Sequence, residues 1–382
     1  MNQTMPPALI FLTGATGLIG FRILVLCLQH GHRVRVALRT LSAKHRILNT
    51  PSIKSLSTTN PTLTTTHLTF TEIPDLTLPS AFYPNPALQD VTHIIHAAAP
   101  IASADPASIG QNLEAHYIHP TINTCLNLLS SARAQCSIKR IILTSSLAAL
   151  IDHAEDTVDK VHAATTRAVN VQAPPYSSPS EAYIAAKVGA LKRVEDWVRW
   201  EKPAFDVVHL APGHVFGVNE LVDDPRELLG AGSNRIILRA VVESGSRFES
   251  SLQIQTQTAP APAPEPGVTV HLDDVAEAHV RALNPSIPGN RLYILSSGRE
   301  MGTQLDECFG VVARWFPEAV ERRVLRGKGS LPSSVFRVDA QESAKVLGME
   351  FRGFEEQVRD VVAYYLLCLE RRGGDCTAGI GG

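Results

Sequence analysis

Tyr183 and Lys187 stand four residues apart in Tyr183-Ile-Ala-Ala-Lys187, inside a stretch that reads as helix, and that spacing puts both side chains on one helix face. An isolated phenol titrates near pH ~10 and is a poor proton donor at neutrality. A neighbouring ammonium favours the phenolate and lowers that value, so Tyr183 becomes a group able to hand a proton to a carbonyl oxygen as the carbonyl is reduced. Such pairs are common on helices and mean nothing alone. The weight comes from Leu143-Thr144-Ser145-Ser146, which ends an apolar, β-branched run. Its hydroxyls fall at the carboxyl edge of a sheet, where open α/β folds bind their ligands. One serine there can hydrogen-bond a substrate oxygen as charge develops on it. Ser145 reads as the serine that satisfies backbone.

A second constellation lies at the N-terminus. The strand expected at 8–14 runs into Thr13-Gly14-Ala15-Thr16-Gly17-Leu18-Ile19-Gly20 and then into a helix, the context that a dinucleotide-binding fingerprint requires. In this G-x-x-G-x-x-G spacing Gly14 allows the tight turn, Gly17 lets a pyrophosphate approach the backbone, and Gly20 lets the helix pack on the strand. The helix N-terminus, with Thr16, Leu18 and Ile19 around Gly17, offers N–H groups to phosphate. The second strand ends Ala37-Leu38-Arg39-Thr40, followed by Lys44, His45 and Arg46, with no carboxylate before Glu72. An enzyme for the unphosphorylated nicotinamide cofactor usually places Asp or Glu about 20 residues after the glycines, whereas a cation there accommodates a 2′-phosphate. NADPH is therefore the expected cofactor, with Arg39 as its main phosphate ligand because a guanidinium presents a planar fork, and Lys44 nearby.

These residues need a scaffold, and the chain supplies one. Short β-branched runs at 8–14, 33–39, 67–73, 92–98, 138–146 and 205–213 alternate with helical stretches at 17–30, 107–134 and 181–201, the pattern of a doubly wound parallel α/β sheet covered on both faces. Within 181–201 Ile184, Val188, Leu191, Val194 and Val198 recur every three or four residues as one buried face. The expected division is a Rossmann domain over 1–217, to which 268–283 returns. A smaller substrate-binding lobe takes 218–267 and 284–371, and a flexible tail takes 372–382. The stretch 252–267 holds four prolines and is expected to be a mobile loop.

Composition removes several classes. Thirty-five basic against 37 acidic residues leave a net charge of −2, too balanced for a nucleic-acid partner. The apolar run 8–28 is interrupted by Gly14, Gly17 and Gly20 with no basic segment before it, so neither a membrane span nor a signal peptide is expected. The six cysteines form no C-x-x-C pair, which fits reduced thiols and a cytoplasmic location. His93 with His96 and His116 with His119 are spaced like metal ligands, but no carboxylate or cysteine completes either set. No metal is expected.

The ordered motifs together resemble the extended short-chain dehydrogenase/reductases over residues 8–300, and within them the dihydroflavonol reductase and cinnamoyl-CoA reductase branch with its fungal ketoreductase and aldehyde reductase relatives. They are TGATGLIG, the Arg39 strand end, Ile73-Pro74-Asp75-Leu76, His96-Ala97-Ala98-Ala99-Pro100, Ile118-His119-Pro120-Thr121, Thr144-Ser145-Ser146, YIAAK, Ala211-Pro212-Gly213-His214-Val215-Phe216-Gly217 and HLDDVAEAHVRAL. The resemblance implies that Ser146, Tyr183 and Lys187 are catalytic. It implies that Thr13, Thr144 and the glycine motif hold the cofactor, that Asp75 and Leu76 contact adenine, that Ala97, Ala98 and Ala99 line the cofactor, and that Pro212 lies beside the nicotinamide. The implied activity is NADPH-dependent reduction of a ketone or aldehyde on a hydrophobic small molecule, in fungal specialised metabolism, by a monomer or homodimer. Val215, Phe216, Val218 and Leu221 suggest an apolar substrate side, and His214 either faces substrate or is structural. The segment 218–266, where the family keeps its substrate specificity, matches no pattern. Two alternatives stand beside this reading: an epimerase or dehydratase that retains NAD, and a non-catalytic dinucleotide sensor. The missing carboxylate after the second strand opposes the first, and the joint presence of Ser146, Tyr183 and Lys187 opposes the second.

Overall fold

Runs such as Leu9-Ile-Phe-Leu-Thr13 are buried along their whole length, as strands covered by helices on both faces must be. In the computed structural model, which describes residues 8–82, 86–100, 112–152, 159–230, 232–242, 264–298 and 301–375, the chain forms two compact units. One comprises Met1–Gly213, Asp273–Leu295 and Asp339–Glu350; the other comprises His214–Leu272, Ser296–Val338 and Phe351–Gly382.

The first unit is built on seven parallel strands: β1 (Leu9–Thr13), β2 (Arg33–Leu38), β3 (Leu68–Glu72), β4 (His93–His96), β5 (Arg140–Thr144), β6 (Asp206–Pro212) and β7 (Arg291–Leu295). Their order is β7-β6-β5-β4-β1-β2-β3. The direction of winding reverses between β1 and β4, and the crevice outside their carboxyl ends is where such sheets take ligands. Each expected strand shortens by one or two residues at one or both ends. β7 belongs to this sheet, with Arg291 to Leu295 in register with Val208 to Pro212 of β6. That removes 291–295 from the lobe expected over 284–371.

Three helices matter for the site: α1 (Leu18–Gln29), α2 (His119–Arg133) and α3 (Pro179–Glu201). α3 starts two residues earlier than its periodicity suggests, because its cap lies upstream. The Ser178 hydroxyl accepts the Glu181 N–H at 3.2 Å, and the Glu181 carboxylate accepts from the Ser177 N–H at 2.7 Å and the Ser177 hydroxyl at 2.6 Å. This is a reciprocal cap of the box type, with proline in the first turn. Of the helix expected at 107–134, residues 107–111 lie outside the described residues. A wide turn over Glu114–Ile118 leads into α2.

Arg140 ties the amino end of the sheet. Its side chain is 5% exposed, and all five N–H donors are satisfied. Two engage Asp206 at 2.6 and 2.7 Å, and the others reach the carbonyls of Ala282, Asn284 and Ile287 at 2.7 to 2.8 Å.

The second unit packs helices Pro225–Gly230, Asn234–Val241, Glu307–Trp315 and Phe354–Asp375 around a core that includes Phe216, Ile237, Val312, Val358 and Val362. Val215, Phe216 and Leu221 are buried, and Val218 packs against this core. Their apolarity therefore serves the unit's interior, and the apolar substrate wall expected from them is corrected. The proline-rich stretch lies outside the described residues over 252–263. Its end does not read as a loop: Glu265–Pro266 pairs in parallel with Ser333–Ser334, because the Glu265 and Gly267 N–H groups reach the Pro332 and Ser334 carbonyls at 3.1 and 2.9 Å. Among the described residues no helix is long and apolar enough to cross a membrane.

Candidate active site

The glycine turn is shaped from beneath by the end of β4. Gly14 has φ +80°, and a Cβ there would also press on the Ala98 nitrogen at 2.6 Å, so only glycine serves. A Cβ on Gly20 would overlap the Gly14 carbonyl; the helix therefore packs tightly on the turn. Gly17 differs. Its nearest obstacle is the Gly14 oxygen at 3.5 Å, so the protein leaves open the space that a phosphate group needs. α1 begins at Leu18 with no side-chain cap and no acid in its first turn, which leaves its N–H groups to an anion. Thr16 and Gly17 are exposed, and Leu18 and Ile19 are half-buried. These features fit a dinucleotide pyrophosphate.

Thr13 has a different part. It is fully buried, its hydroxyl shares a 2.7 Å hydrogen bond with His96 Nδ1, and that oxygen also accepts the Ala98 N–H at 3.3 Å. Thr13 thus locks β1 to β4 and holds the turn. Ala97, Ala98 and Ala99 are half-exposed along this seam.

At the end of β5 the Lys187 ammonium, 7% exposed, donates to the Thr144 carbonyl at 3.5 Å and lies 5.6 Å from the centre of the Tyr183 ring. The Thr144 hydroxyl is committed to His279. His279 Nδ1–H donates to the Val275 carbonyl at 2.7 Å, so its Nε2 is the acceptor for Thr144 at 2.8 Å. Thr144 therefore positions Lys187 through its carbonyl, while its hydroxyl donates to His279. Ser145 donates its N–H to the Leu210 carbonyl at 2.7 Å. The Ser146 hydroxyl oxygen accepts the Ala148 N–H at 3.1 Å, which leaves its own proton to donate to a substrate oxygen. Tyr183 is half-buried against the Tyr117, Ala182 and Ala186 cluster. Glu181, the carboxylate nearest to Tyr183 in sequence, is held by Ser177 and by Gln172.

A second group of residues forms at the carboxyl ends of β2 and β3. Arg39 is exposed. Asp75 caps Thr77 through that residue's N–H at 2.8 Å and hydroxyl at 2.7 Å. The Thr77 hydroxyl, its amide and the Arg39 charge together hold the Asp75 carboxyl below the usual range. Leu76 packs on the core. Glu72, unassigned from the sequence, accepts the Leu41 N–H at 2.8 Å and so shapes the turn that carries Arg39. Lys44, half-buried, begins a short helix (Lys44–Leu48). Pro212 is buried in β6, opposite Leu295.

The histidines spaced three apart are otherwise engaged. His96 binds Thr13, and His119 approaches Glu114 at 3.7 Å. Among the described residues no group of three or more potential ligands gathers. In the second unit His214 lies 3.7 Å from Glu265. Sequence reasoning missed His279, whose signal was a histidine four residues after Val275 on the buried face of a short amphipathic helix.

Burial holds several imidazoles neutral. His96 is pushed down to about 3, by burial and then by the Lys187 charge, and His93, His209 and His279 to about 4, chiefly by burial. In the unfolded chain they titrate near pH ~6.5. Below that pH the unfolded state binds protons that the folded state refuses, so this stabilisation is complete above pH ~6.5 and is lost as pH falls toward 4. Thermal melts between pH 7.5 and 4.5 should fall steeply, and His279→Leu should flatten that slope. An unchanged slope would show that His279 carries no part of it.

Comparison with known proteins adds the following. The family model described as the NAD dependent epimerase/dehydratase family matches residues 10–254. The ketoreductase CTB6 of Cercospora nicotianae is 31% identical over 379 residues, covering 97% of this chain and 98% of the relative. The NAD-dependent epimerase/dehydratase ALT6 of Alternaria alternata is 33% identical over 373 residues, covering 92% and 96%. Among solved structures, the yeast methylglyoxal/isovaleraldehyde reductase Gre2 complexed with NADPH superposes with a TM-score of 0.75 at 20% identity, covering 95% of this chain and 99% of that one.

Proposed function

Since this chain belongs to the NAD dependent epimerase/dehydratase family, we propose that it is an NADPH-dependent reductase of ketones or aldehydes on small molecules, working in the cytoplasm as part of specialised metabolism. The observation that carries the reading is Lys187, held against the Thr144 carbonyl and 5.6 Å from the Tyr183 ring, on the strand end that continues into Ser146. The ketoreductase relatives and the NADPH-bound Gre2 fold neighbour support carbonyl reduction. When bound, the nicotinamide supplies the hydride. Tyr183 delivers a proton to the carbonyl oxygen, Ser146 donates a hydrogen bond to that oxygen, and Lys187 keeps a positive charge beside the phenol. Gly14, Gly17 and the first turn of α1 would receive the pyrophosphate, and Arg39 the 2′-phosphate.

Two measurements test this. With excess carbonyl substrate the purified protein should oxidise one NADPH per alcohol formed; product without net NADPH oxidation would establish an epimerase or dehydratase instead. Arg39→Asp should weaken NADPH binding by between about tenfold and a hundredfold, the worth of one or two charge-assisted hydrogen bonds. NADH binding should change little, and an equal loss for both cofactors would remove Arg39 from the site.

A further inference from the structure

We propose that His209 is the residue through which Tyr183 regains its proton from solvent, by way of a water-sized chamber beside Lys187; the proposal rests on the reductase reading above. Thr13, His96, Leu143 and His209 are register partners across β1, β4, β5 and β6. Partners in adjacent parallel strands point to the same face, so their side chains form one row. Between this row and the helices α2 and α3 lies a chamber of about 30 Å³, lined by His96, Thr121, Thr144, Lys187 and His209 among others. That volume holds one water, which needs roughly 10–15 Å³ and two to four polar partners. On its other side His209 lines a groove of about 580 Å³ with Glu195, Arg199, Lys202 and Asn290. The last three are exposed, so the groove meets solvent. His209 is the residue common to both linings.

The ring itself is suited to passage. His209 is 4% exposed, yet among the described residues neither of its nitrogens has a hydrogen-bond partner, whereas His96 is bonded to Thr13 and His279 to Val275 and Thr144. Burial keeps it neutral, with Glu195 and Arg167 acting in opposite directions from the groove side. Lys187, His96 and Cys125 face the chamber. A neutral imidazole carries one donor and one acceptor nitrogen and can accept a proton on one while releasing the other.

The transfers balance. As hydride adds to the carbonyl carbon, Tyr183 gives its O–H proton to the carbonyl oxygen and becomes phenolate. The Lys187 ammonium re-protonates it and becomes an amine. That amine takes a proton from the chamber water, the water takes one from the His209 N–H, and the other His209 nitrogen takes one from water in the groove. One solvent proton is consumed per alcohol, and the imidazole returns to its first tautomer by a ring flip.

The test compares His209→Leu and His209→Gln with the unaltered protein. The single-turnover rate, which uses the proton already on Tyr183, should be unchanged, while steady-state turnover falls about tenfold, within the range expected for a lost proton-transfer group. The solvent deuterium isotope effect should rise, and added imidazole, small enough for the groove, should restore the rate. Steady-state rates equal to those of the unaltered protein in both variants, or a slowed single turnover that imidazole does not restore, would overturn the proposal. A second readout needs no activity. In histidine-labelled protein the ring N–H of His209 should exchange with water at least tenfold faster than that of His279, and equal exchange would overturn the relay. Failure of the unaltered protein to oxidise NADPH with any carbonyl would refute the reductase reading, and the exchange rates would still decide the relay.

Discussion

Tyr183→Phe is expected to lower turnover by roughly a hundredfold to ten-thousandfold, the contribution of a positioned general acid, with NADPH affinity and thermal stability close to those of the unaltered protein. The substitution removes one oxygen and nothing else. The ring keeps its packing against Tyr117, Ala182 and Ala186, and Lys187 keeps its anchor on the Thr144 carbonyl. Lys187→Ala is expected to damage cofactor binding as well as turnover, because it removes a nearly buried charge from the strand end. Cofactor titration separates the two, and single-turnover kinetics then isolates the chemical step. Turnover at the unaltered level in the phenylalanine variant would mean that the proton comes from another group, and would also remove the reason for a relay through His209.

The largest loss of stability is expected at Arg140. Arg140→Ala leaves Asp206 without its bidentate partner and removes one hydrogen bond from each of the Ala282, Asn284 and Ile287 carbonyls. Breaking a buried pair from one side costs about 3 kcal/mol or more. Asp206 is 30% exposed and water recovers part of its solvation, so the lower end applies. In a unit of this size that corresponds to a fall in Tm of roughly 6 to 12 °C. Asp206→Asn should cost less, since an amide oxygen still accepts one of the two hydrogen bonds. Calorimetry on both variants tests the ordering, and an unchanged Tm in Arg140→Ala would mean that the loop over 282–287 is held by other contacts.

Periodicity and local chemistry were enough for the parallel sheet, for α1 and α3, and for pairing Tyr183 with Lys187, because an i to i+4 relation on one helix is fixed by the backbone alone. The glycine motif was legible for the same reason: strand, turn and helix are contiguous, and each glycine answers a constraint within seven residues. The place of Arg39, exposed just beyond the carboxyl end of β2, was legible because it directly follows the strand. Contacts between distant segments were not legible. That Thr13 and Thr144 turn their hydroxyls inward depends on His96 and His279, 83 and 135 residues away, and no local pattern carries that distance. Val215 and Phe216 looked like a substrate wall because apolarity in sequence does not say which cavity it fills; packing buries both, Phe216 in the core of the second unit. His209 reads as an ordinary interior residue of a strand. Only the register of four strands and the space left under two helices put it between a solvent groove and Lys187, since a cavity belongs to the elements around it and to none of them singly.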